Sequence, residues 1–109
     1  MEEKSTTEEL SKEEEVRMIA AIFPNDTRKA IIRLLLGETE PVKMYHNEIC
    51  EAMGGSKSTV HKHLTALTEI EGILNTKPGF KSSSEKQLVK FYYIKEKYAR
   101  ALRNYIDLL

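Results

Sequence analysis

Apolar residues recur at helical spacing near the start of the chain, between Ser11 and Phe23. Intervals of three and four residues place them on one stripe, as in an amphipathic helix. Ser11 and Glu14 have the spacing of a capping box, which begins a helix. We predict a first helix over residues 11–23, with an apolar stripe of Val16, Ile19, Ala20 and Phe23.

A second helix is predicted over Thr27–Leu36, after the break at residues 24–26. Asp26 stands at its N-cap position, and Gly37 is placed to end it in the left-handed conformation. A short strand over Val42–Tyr45 follows, with Asn47 as the expected N-cap of a third helix. The predicted inward positions of the second helix are Ala30, Ile31, Leu34 and Leu35.

The segment Glu48–Leu64 predicts two helices joined by a tight turn. Gly54 and Gly55 end the first of these helices, because glycine enters the left-handed conformation without steric cost. Ser56 is placed to cap the second, which we extend over residues 56–70. The predicted inward positions are Ile49, Cys50, Ala52 and Met53 in the first helix and Val60, Leu64 and Leu67 in the second.

The outward face of the helix over residues 56–70 is short, polar and basic. Side chains of these types reach base edges and phosphates when a helix lies in the major groove of DNA. The alternative is an ordinary solvated helix face. We assign base contacts to Ser58, His61, Lys62 and Thr65, and phosphate contacts to Lys57 and Thr59.

Two strand-like runs, Ile73–Phe80 and Gln87–Ile94, are separated by a polar loop over residues 81–86. They predict a β-hairpin.

The chain then ends in an amphipathic helix over residues 95–109. Because the other elements already close a small core, we predict that this helix and the first one form a homodimer interface. The alternative is that both pack on their own chain. The predicted interface residues are Val16, Ile19, Phe23, Tyr98, Leu102, Tyr105, Ile106 and Leu109.

The order of residues in Glu48–Leu64, EICEAMGGSKSTVHKHL, resembles the arsenic-repressor (ArsR-type) winged-helix family. Asn25–Arg28, leading into KAIIRLLLG, resembles the start of the family's second helix, and the hairpin is similar to its wing. The resemblance covers residues 16–109. Multiple-antibiotic-resistance-type regulators and small archaeal winged-helix proteins share this core, so it indicates the superfamily more than one subfamily.

The resemblance implies a mainly α winged helix-turn-helix with a small β-hairpin wing, ordered helix, helix, short strand, helix, helix, two strands, helix. It also implies that the hairpin over residues 77–90 lies on the DNA backbone or minor groove. The alternative is an ordinary solvated hairpin. The candidate wing contacts are Lys77, Lys81, Ser83, Lys86 and Lys90.

The formal net charge of the 109 residues is zero, but the charge is distributed unevenly. Residues 1–15 hold seven glutamates and two lysines, whereas residues 16–109 hold fifteen Lys or Arg against ten Asp or Glu. The larger part is therefore basic enough to attract phosphates. We interpret residues 1–10 as an acidic, flexible tail that aids solubility, with masking of the DNA face or contact with a partner as the alternative. Residues 11–109 form one predicted domain.

Sequence patterns for export, membrane insertion, metal binding and catalysis are weak or incomplete. The acidic start lacks an apolar leader, so we expect a cytoplasmic, nucleoid-associated protein that does not enter a membrane. Cys50 is expected in the core. His61 and His63 are about 200° apart on a helix and cannot share an ion, and the ArsR-type metal cysteines have no counterpart at residues 44–47. We therefore expect no enzyme, no metal and no cofactor.

The sequence thus predicts a homodimeric transcriptional regulator, a repressor, that binds double-stranded DNA sequence-specifically. One alternative is an architectural or partition protein that coats DNA with weak sequence preference. A second is a winged-helix module that binds another protein. No effector is indicated by the sequence.

Overall fold

Five α-helices and a three-stranded antiparallel sheet make up the computed structural model, which describes residues 9–82, 84 and 86–109. The helices are α1 (Lys12–Ile22), α2 (Asp26–Leu36), α3 (His46–Met53), α4 (Lys57–Thr65) and α5 (Glu96–Arg103). The strands are β1 (Met44–Tyr45), β2 (Leu74–Phe80) and β3 (Leu88–Ile94). The chain is therefore mainly helical, and no helix within the described ranges is long and apolar enough to span a bilayer.

The start of α1 and the start of α4 are capped as predicted. The Ser11 hydroxyl accepts the backbone N–H of Glu14 at 3.0 Å, and the Glu14 carboxylate accepts the N–H of Ser11 at 3.0 Å. The Ser56 hydroxyl accepts the backbone N–H of Thr59 at 3.3 Å. Both helices therefore begin where a side chain satisfies an otherwise unpaired backbone donor.

The predicted N-cap of α2 is wrong by one residue, because Asn25 caps the helix instead of Asp26. The side-chain oxygen of Asn25 accepts the backbone N–H of Arg28 at 2.9 Å, and Asp26 becomes the first helical residue. Gly37 ends α2 as expected, with φ at 69°. Asn and Asp are both good N-caps, and here the open N–H of Arg28 is accepted by Asn25, three residues before it.

The predicted cap of α3 is also wrong, since the helix begins at His46 and Asn47 lies inside its first turn. The Glu48 carboxylate accepts the backbone N–H of Tyr45, the residue before the helix, at 3.0 Å. The preceding strand is shorter than the predicted Val42–Tyr45, because only two residues pair with β3. Of the predicted inward positions of α3, Ile49 and Cys50 are buried, Met53 is half-buried and Ala52 is exposed.

The helix that was predicted over residues 56–70 is α-helical only as far as Thr65. Ala66–Ile70 form a π-helical turn, in which the N–H of Glu71 donates to the carbonyl of Ala66 at 2.9 Å. The Thr68 hydroxyl donates to the Leu64 carbonyl at 2.7 Å and so competes for that acceptor. The helix widens where this side chain takes up a backbone acceptor.

The sheet has the order β1-β3-β2, and β3 therefore lies between a two-residue strand and a seven-residue strand. Leu74 is opposite Ile94 at one end of the β2–β3 hairpin, and Phe80 is opposite Leu88 at the other. Beyond that pair the N–H of Lys81 donates to the Gln87 carbonyl at 2.9 Å, which closes the hairpin. The hairpin matches the prediction, with each strand starting one residue later.

The core gathers apolar side chains from every helix and from the hairpin. In α4 and its π-helical continuation, Val60, Leu64 and Leu67 are buried as predicted. In α1 the predicted stripe is wrong in phase, because Met18 and Ile22 are buried whereas Val16 is 62% exposed and Ala20 is also exposed. The inward face is centred on a different pair of residues four apart, which also satisfies helical periodicity.

The C-terminal helix is shorter than the predicted 95–109 and is held by its own chain. Helix α5 ends at Arg103 and is followed by a 3₁₀ turn over Ile106–Leu108. The Arg103 guanidinium donates to the carbonyls of Leu36 and Gly37 at the C-terminus of α2. These carbonyls have no partner within their helix, so the cation satisfies them and complements the helix dipole.

Candidate nucleic-acid interface

A left-handed glycine and a serine cap set the turn between α3 and α4. Gly54 ends α3 with φ at 71°, and its N–H donates to the Cys50 carbonyl at 2.8 Å. From the start of α3, the His46 ring Nε2–H donates to the carbonyl of Lys57 at 3.1 Å. A hydrogen bond between the first residues of α3 and α4 therefore joins the two helices in addition to the turn.

One face of α4 is open to solvent along most of its length. Lys57, Ser58, Thr59, His61 and Lys62 are exposed, and Thr65 is half-buried. Because Val60 and Leu64 hold the opposite side in the core, the exposed side chains point away from the body of the protein. No acidic residue lies within α4, so this face offers hydroxyl, imidazole and ammonium groups that suit an anionic partner.

The inner edge of α4 is fixed by a histidine that was not predicted to have a role. His63 Nδ1 accepts the Nε–H of Arg28 at 3.0 Å, and the same guanidinium donates to the Ala21 carbonyl at 3.0 Å. Its Nη1 also lies 3.8 Å from a carboxylate oxygen of Glu71. Arg28 therefore links α4 to α2 and to the end of α1.

The environment of His63 disfavours its charged form. Desolvation lowers the pKa of His63 below its ordinary value of 6.5, and the neighbouring charges of Arg28 and then Lys62 lower it further. The hydrogen bond from Arg28 requires an unprotonated Nδ1, which agrees with that direction. His63 is thus a neutral acceptor that orients α4, and it is not part of the exposed face.

A groove of about 280 Å³ opens between the start of α3, the middle of α4 and strand β3. The rings of His46 and His61 meet across it edge to face, with their centroids 5.4 Å apart. Lys90 of β3 also lines the groove. The groove is lined by Tyr45, His46, Asn47, His61, Val89, Lys90 and Tyr92. It brings a cation of the hairpin next to α4. The sequence pattern did not single out His46 and indicated Asn47 only as a helix cap, so both were missed as groups of this surface.

The predicted wing lysines do not share one face of the hairpin. Lys90 alternates onto the same face as Tyr92, and its Nζ lies 5.5 Å from the centre of that ring. Lys77 and Lys81 alternate onto the opposite face, with their ammonium groups 5.4 Å from the Tyr93 ring and 5.8 Å from the Tyr45 ring. Among them, only Lys90 lines the groove beside α4.

The loop of the hairpin carries the other two predicted wing residues. Lys86 is exposed, and Ser83 lies outside the described residues. Lys43 was missed: it is exposed, and its Nζ lies 4.7 Å from the centre of the Phe91 ring. Its signal was weak, because a single lysine before a two-residue strand gives no register from which to place it.

The residues of the predicted dimer interface are distributed between the core and the surface. Leu102 has no exposed surface and packs within its own chain. Phe23 and Tyr105 stack edge to face at 5.8 Å, and the Tyr105 hydroxyl donates to Glu15 of α1. Val16 is exposed, and the remaining members are half-buried: Ile19, Tyr98, Ile106 and Leu109.

The candidate surface consists of the exposed face of α4, the groove and the neighbouring hairpin. Across the described ranges, no three His, Cys, Asp or Glu side chains lie close enough to hold a metal ion. What the arrangement offers chemically is hydrogen bonding and positive charge. No family model matches the chain, and neither the curated proteins nor the solved structures contain a match to it.

Proposed function

We propose that the chain is a winged helix-turn-helix protein that binds double-stranded DNA sequence-specifically and represses transcription by occluding a promoter. The observation that carries the proposal is the exposed, acid-free face of α4 beside a lysine-rich hairpin. The resemblance of Glu48–Leu64 to the ArsR-type family supports the same function.

Helix α4 has the dimensions and chemistry of a recognition helix. An α-helix with its side chains is about 10–12 Å across, and the major groove of B-DNA is about 12 Å wide. Ser58, His61 and Lys62 project from its exposed side and would meet base edges. Lys57, at the N-terminus of the helix, would meet a phosphate, helped by the open backbone N–H groups there.

The groove between α4 and β3 suits the sugar-phosphate backbone at the edge of the bound groove. His61 of α4 and Lys90 of β3 both line it, so a phosphate there would have a donor from each element. Lys43, Lys77 and Lys81 lie on the outer face of the sheet and would add long-range attraction more than direct contact. Binding should therefore weaken steeply as salt is raised.

Repression by occlusion requires the protein to cover a promoter. Two copies related by a twofold axis would place their α4 helices in successive major grooves about 34 Å apart. The preferred site would then be an inverted repeat with half-sites about 10 base pairs apart. The homodimer is part of the proposal, and its test is given in the Discussion.

Selection of random duplexes by the full-length protein tests the proposed function. Enrichment of an inverted repeat is the expected result. A diffuse preference with strong salt dependence would replace the proposal with an architectural DNA-coating role. Failure to bind any duplex at low salt would contradict DNA binding and favour a protein-docking role.

A matched pair of variants shows whether the selected sequence is bound through α4. Lys62→Ala and Lys12→Ala remove the same charge from an exposed position, one on α4 and one on α1. We expect only Lys62→Ala to reduce affinity for the selected duplex in a competition assay. Equal losses from both variants would contradict a surface centred on α4.

A further inference from the structure

The end of the hairpin exposes two large apolar side chains that face each other. Phe80 and Leu88 are direct partners across β2 and β3, and they are 59% and 64% exposed. A cross-strand pair of this kind normally contributes to a hydrophobic face that something covers. Among the described residues these two stay more than half exposed, although the other end of the same hairpin is buried in the core.

Strand alternation places the pair on the side of the sheet that faces α4. Phe80 and Leu88 share their face with Lys90 and with the buried Tyr92 and Ile94. Lys90 lines the groove beside His61 of α4. The hairpin therefore runs beyond the core with its apolar end on the same side as the proposed DNA-binding helix.

The charge around the pair favours a polyanion. Residues 74–94 contain four lysines and one acid, Glu85. Lys90 lies two residues from Leu88 on the same strand face, and Lys81 follows Phe80 directly at the edge of the opposite face. Apolar side chains between cations match the minor groove, where phosphates line both edges and base steps lie at the floor.

We propose that Phe80 and Leu88 form a wedge that enters the minor groove next to the site of α4, partly unstacks one base step and bends the duplex. The inference rests on the proposed DNA binding and adds a contact to it. Proteins that insert Phe or Leu between base steps kink DNA toward the major groove. Sequence selectivity would then extend to flexible pyrimidine–purine steps beside the contacts of α4.

The absence of tryptophan from the sequence makes the wedge directly observable. Phe80→Trp places a single indole at the hairpin end and keeps an aromatic ring there. Stacking on a base quenches indole emission, so we expect quenching when the selected duplex is added. Leu108→Trp, at an exposed position in the C-terminal turn, is the matched control and should keep its emission.

The double variant Phe80→Ala with Leu88→Ala tests the bend. We expect it to unfold at the same temperature as the unmodified chain, to bind the duplex up to about tenfold more weakly, and to keep the same salt slope because no charge is removed. Energy transfer between dyes at the two duplex ends should report a bend with the unmodified chain and none with the double variant.

The failure of the inference differs from the failure of the proposed function. If neither the unmodified chain nor the variants bind duplex at low salt, DNA binding itself is contradicted. If duplex binds with no quenching of Phe80→Trp and no bend, the wedge alone is contradicted. Blue-shifted emission of Phe80→Trp with anionic vesicles or on self-association, without quenching by duplex, would assign the pair to a lipid surface or a second copy and overturn the wedge.

Discussion

Lys57 and Lys62 lie on the exposed side of α4, but their positions predict different contributions to binding. Lys62→Ala should relax the preference at one base position and cost about 1–3 kcal/mol at the preferred base. Lys57→Ala should weaken binding to all duplex sequences equally and reduce the slope of log affinity against log salt concentration by about one. Competition among single-base variants of the selected duplex, repeated over a salt series, measures both effects. An unchanged affinity and base preference for Lys62→Ala would show that the assigned face is wrong.

His63 makes the folding stability depend on pH. Its pKa is lowered in the folded protein, so below its ordinary value of 6.5 the unfolded chain binds more protons than the folded one. The contribution of this residue to stability is therefore fully present above pH 6.5 and is lost as the pH falls below it. Protonation would also place an N–H against the donating Nε–H of Arg28.

Replacing His63 by glutamine should remove that part of the pH dependence, because an amide oxygen accepts from Arg28 without titrating. His61→Gln is the control, since His61 is exposed. Urea unfolding at several pH values between 5 and 8 measures the difference. Parallel pH profiles for the unmodified chain and His63→Gln would contradict the assignment.

Single-residue features were predictable where only one candidate was present. Ser11 and Ser56 were predicted as caps and act as caps. The cap of α2 was missed because Asn25 and Asp26 are adjacent and equally suitable. The role of His63 was not predictable, because its partner Arg28 lies 35 residues away in the chain.

At the scale of the elements, the α3–α4 turn depends on one of its two glycines. Gly54 has φ at 71°, whereas Gly55 does not adopt a positive φ. Gly54→Ala should destabilise the protein by about 1–2 kcal/mol, because an alanine must then hold the left-handed conformation. Gly55→Ala should be neutral or stabilising by up to about 1 kcal/mol, since its Cβ would meet only Val60 at 3.7 Å.

Chemical denaturation of the two glycine variants provides the measurement. Equal losses from Gly54→Ala and Gly55→Ala would contradict the conformational argument. The sequence predicted the turn but not which glycine it needs, because either of two adjacent glycines satisfies the pattern.

The strands of the hairpin were predictable from the sequence, but the faces on which its lysines lie were not. Apolar and β-branched runs placed both strands to within one residue. The lysines, however, were treated as one set, although odd-numbered Lys77 and Lys81 and even-numbered Lys90 must alternate onto different faces once the register is fixed. The π-helical turn over Ala66–Ile70 was not predictable, since the apolar positions Val60, Leu64 and Leu67 keep α-helical spacing into it.

At the scale of the whole molecule, assembly is the prediction most affected by the observed packing. Much of the apolar surface of α1 and of the C-terminal segment is used within one chain, whereas Val16 stays exposed. Sedimentation equilibrium at micromolar concentration should give twice the mass of the 12.5 kDa chain. Val16→Glu should reduce the measured mass to that of a single chain, because dimerisation would bury the new charge in an apolar contact.

Val42→Glu is the control for that substitution, since Val42 is 41% exposed and is not part of the predicted interface. A single-chain mass for the unmodified protein at these concentrations would contradict the homodimer and with it the inverted-repeat site.

The docking of the C-terminal helix shows why the overall packing was only partly predictable. Its amphipathic pattern required a covered face but did not identify the covering surface. One contact that holds the helix on its covering surface joins Arg103 to Leu36, which lies 67 residues earlier in the chain. Pairings at such separation leave no periodic signal in a single sequence, whereas caps and strand alternation act within a few residues.

The guanidinium of Arg28, which holds His63, Ala21 and Glu71 at once, has a consequence for recognition. Because these partners lie in α4, at the end of α1 and directly after the π-helical turn, α4 cannot tilt without breaking contacts to its neighbours. Its conformational entropy is thus lost during folding and not at the encounter. Titration calorimetry with the selected duplex should therefore give a heat capacity change no larger than the apolar area buried at the contact explains. No additional contribution is expected from an ordering of α4 on binding.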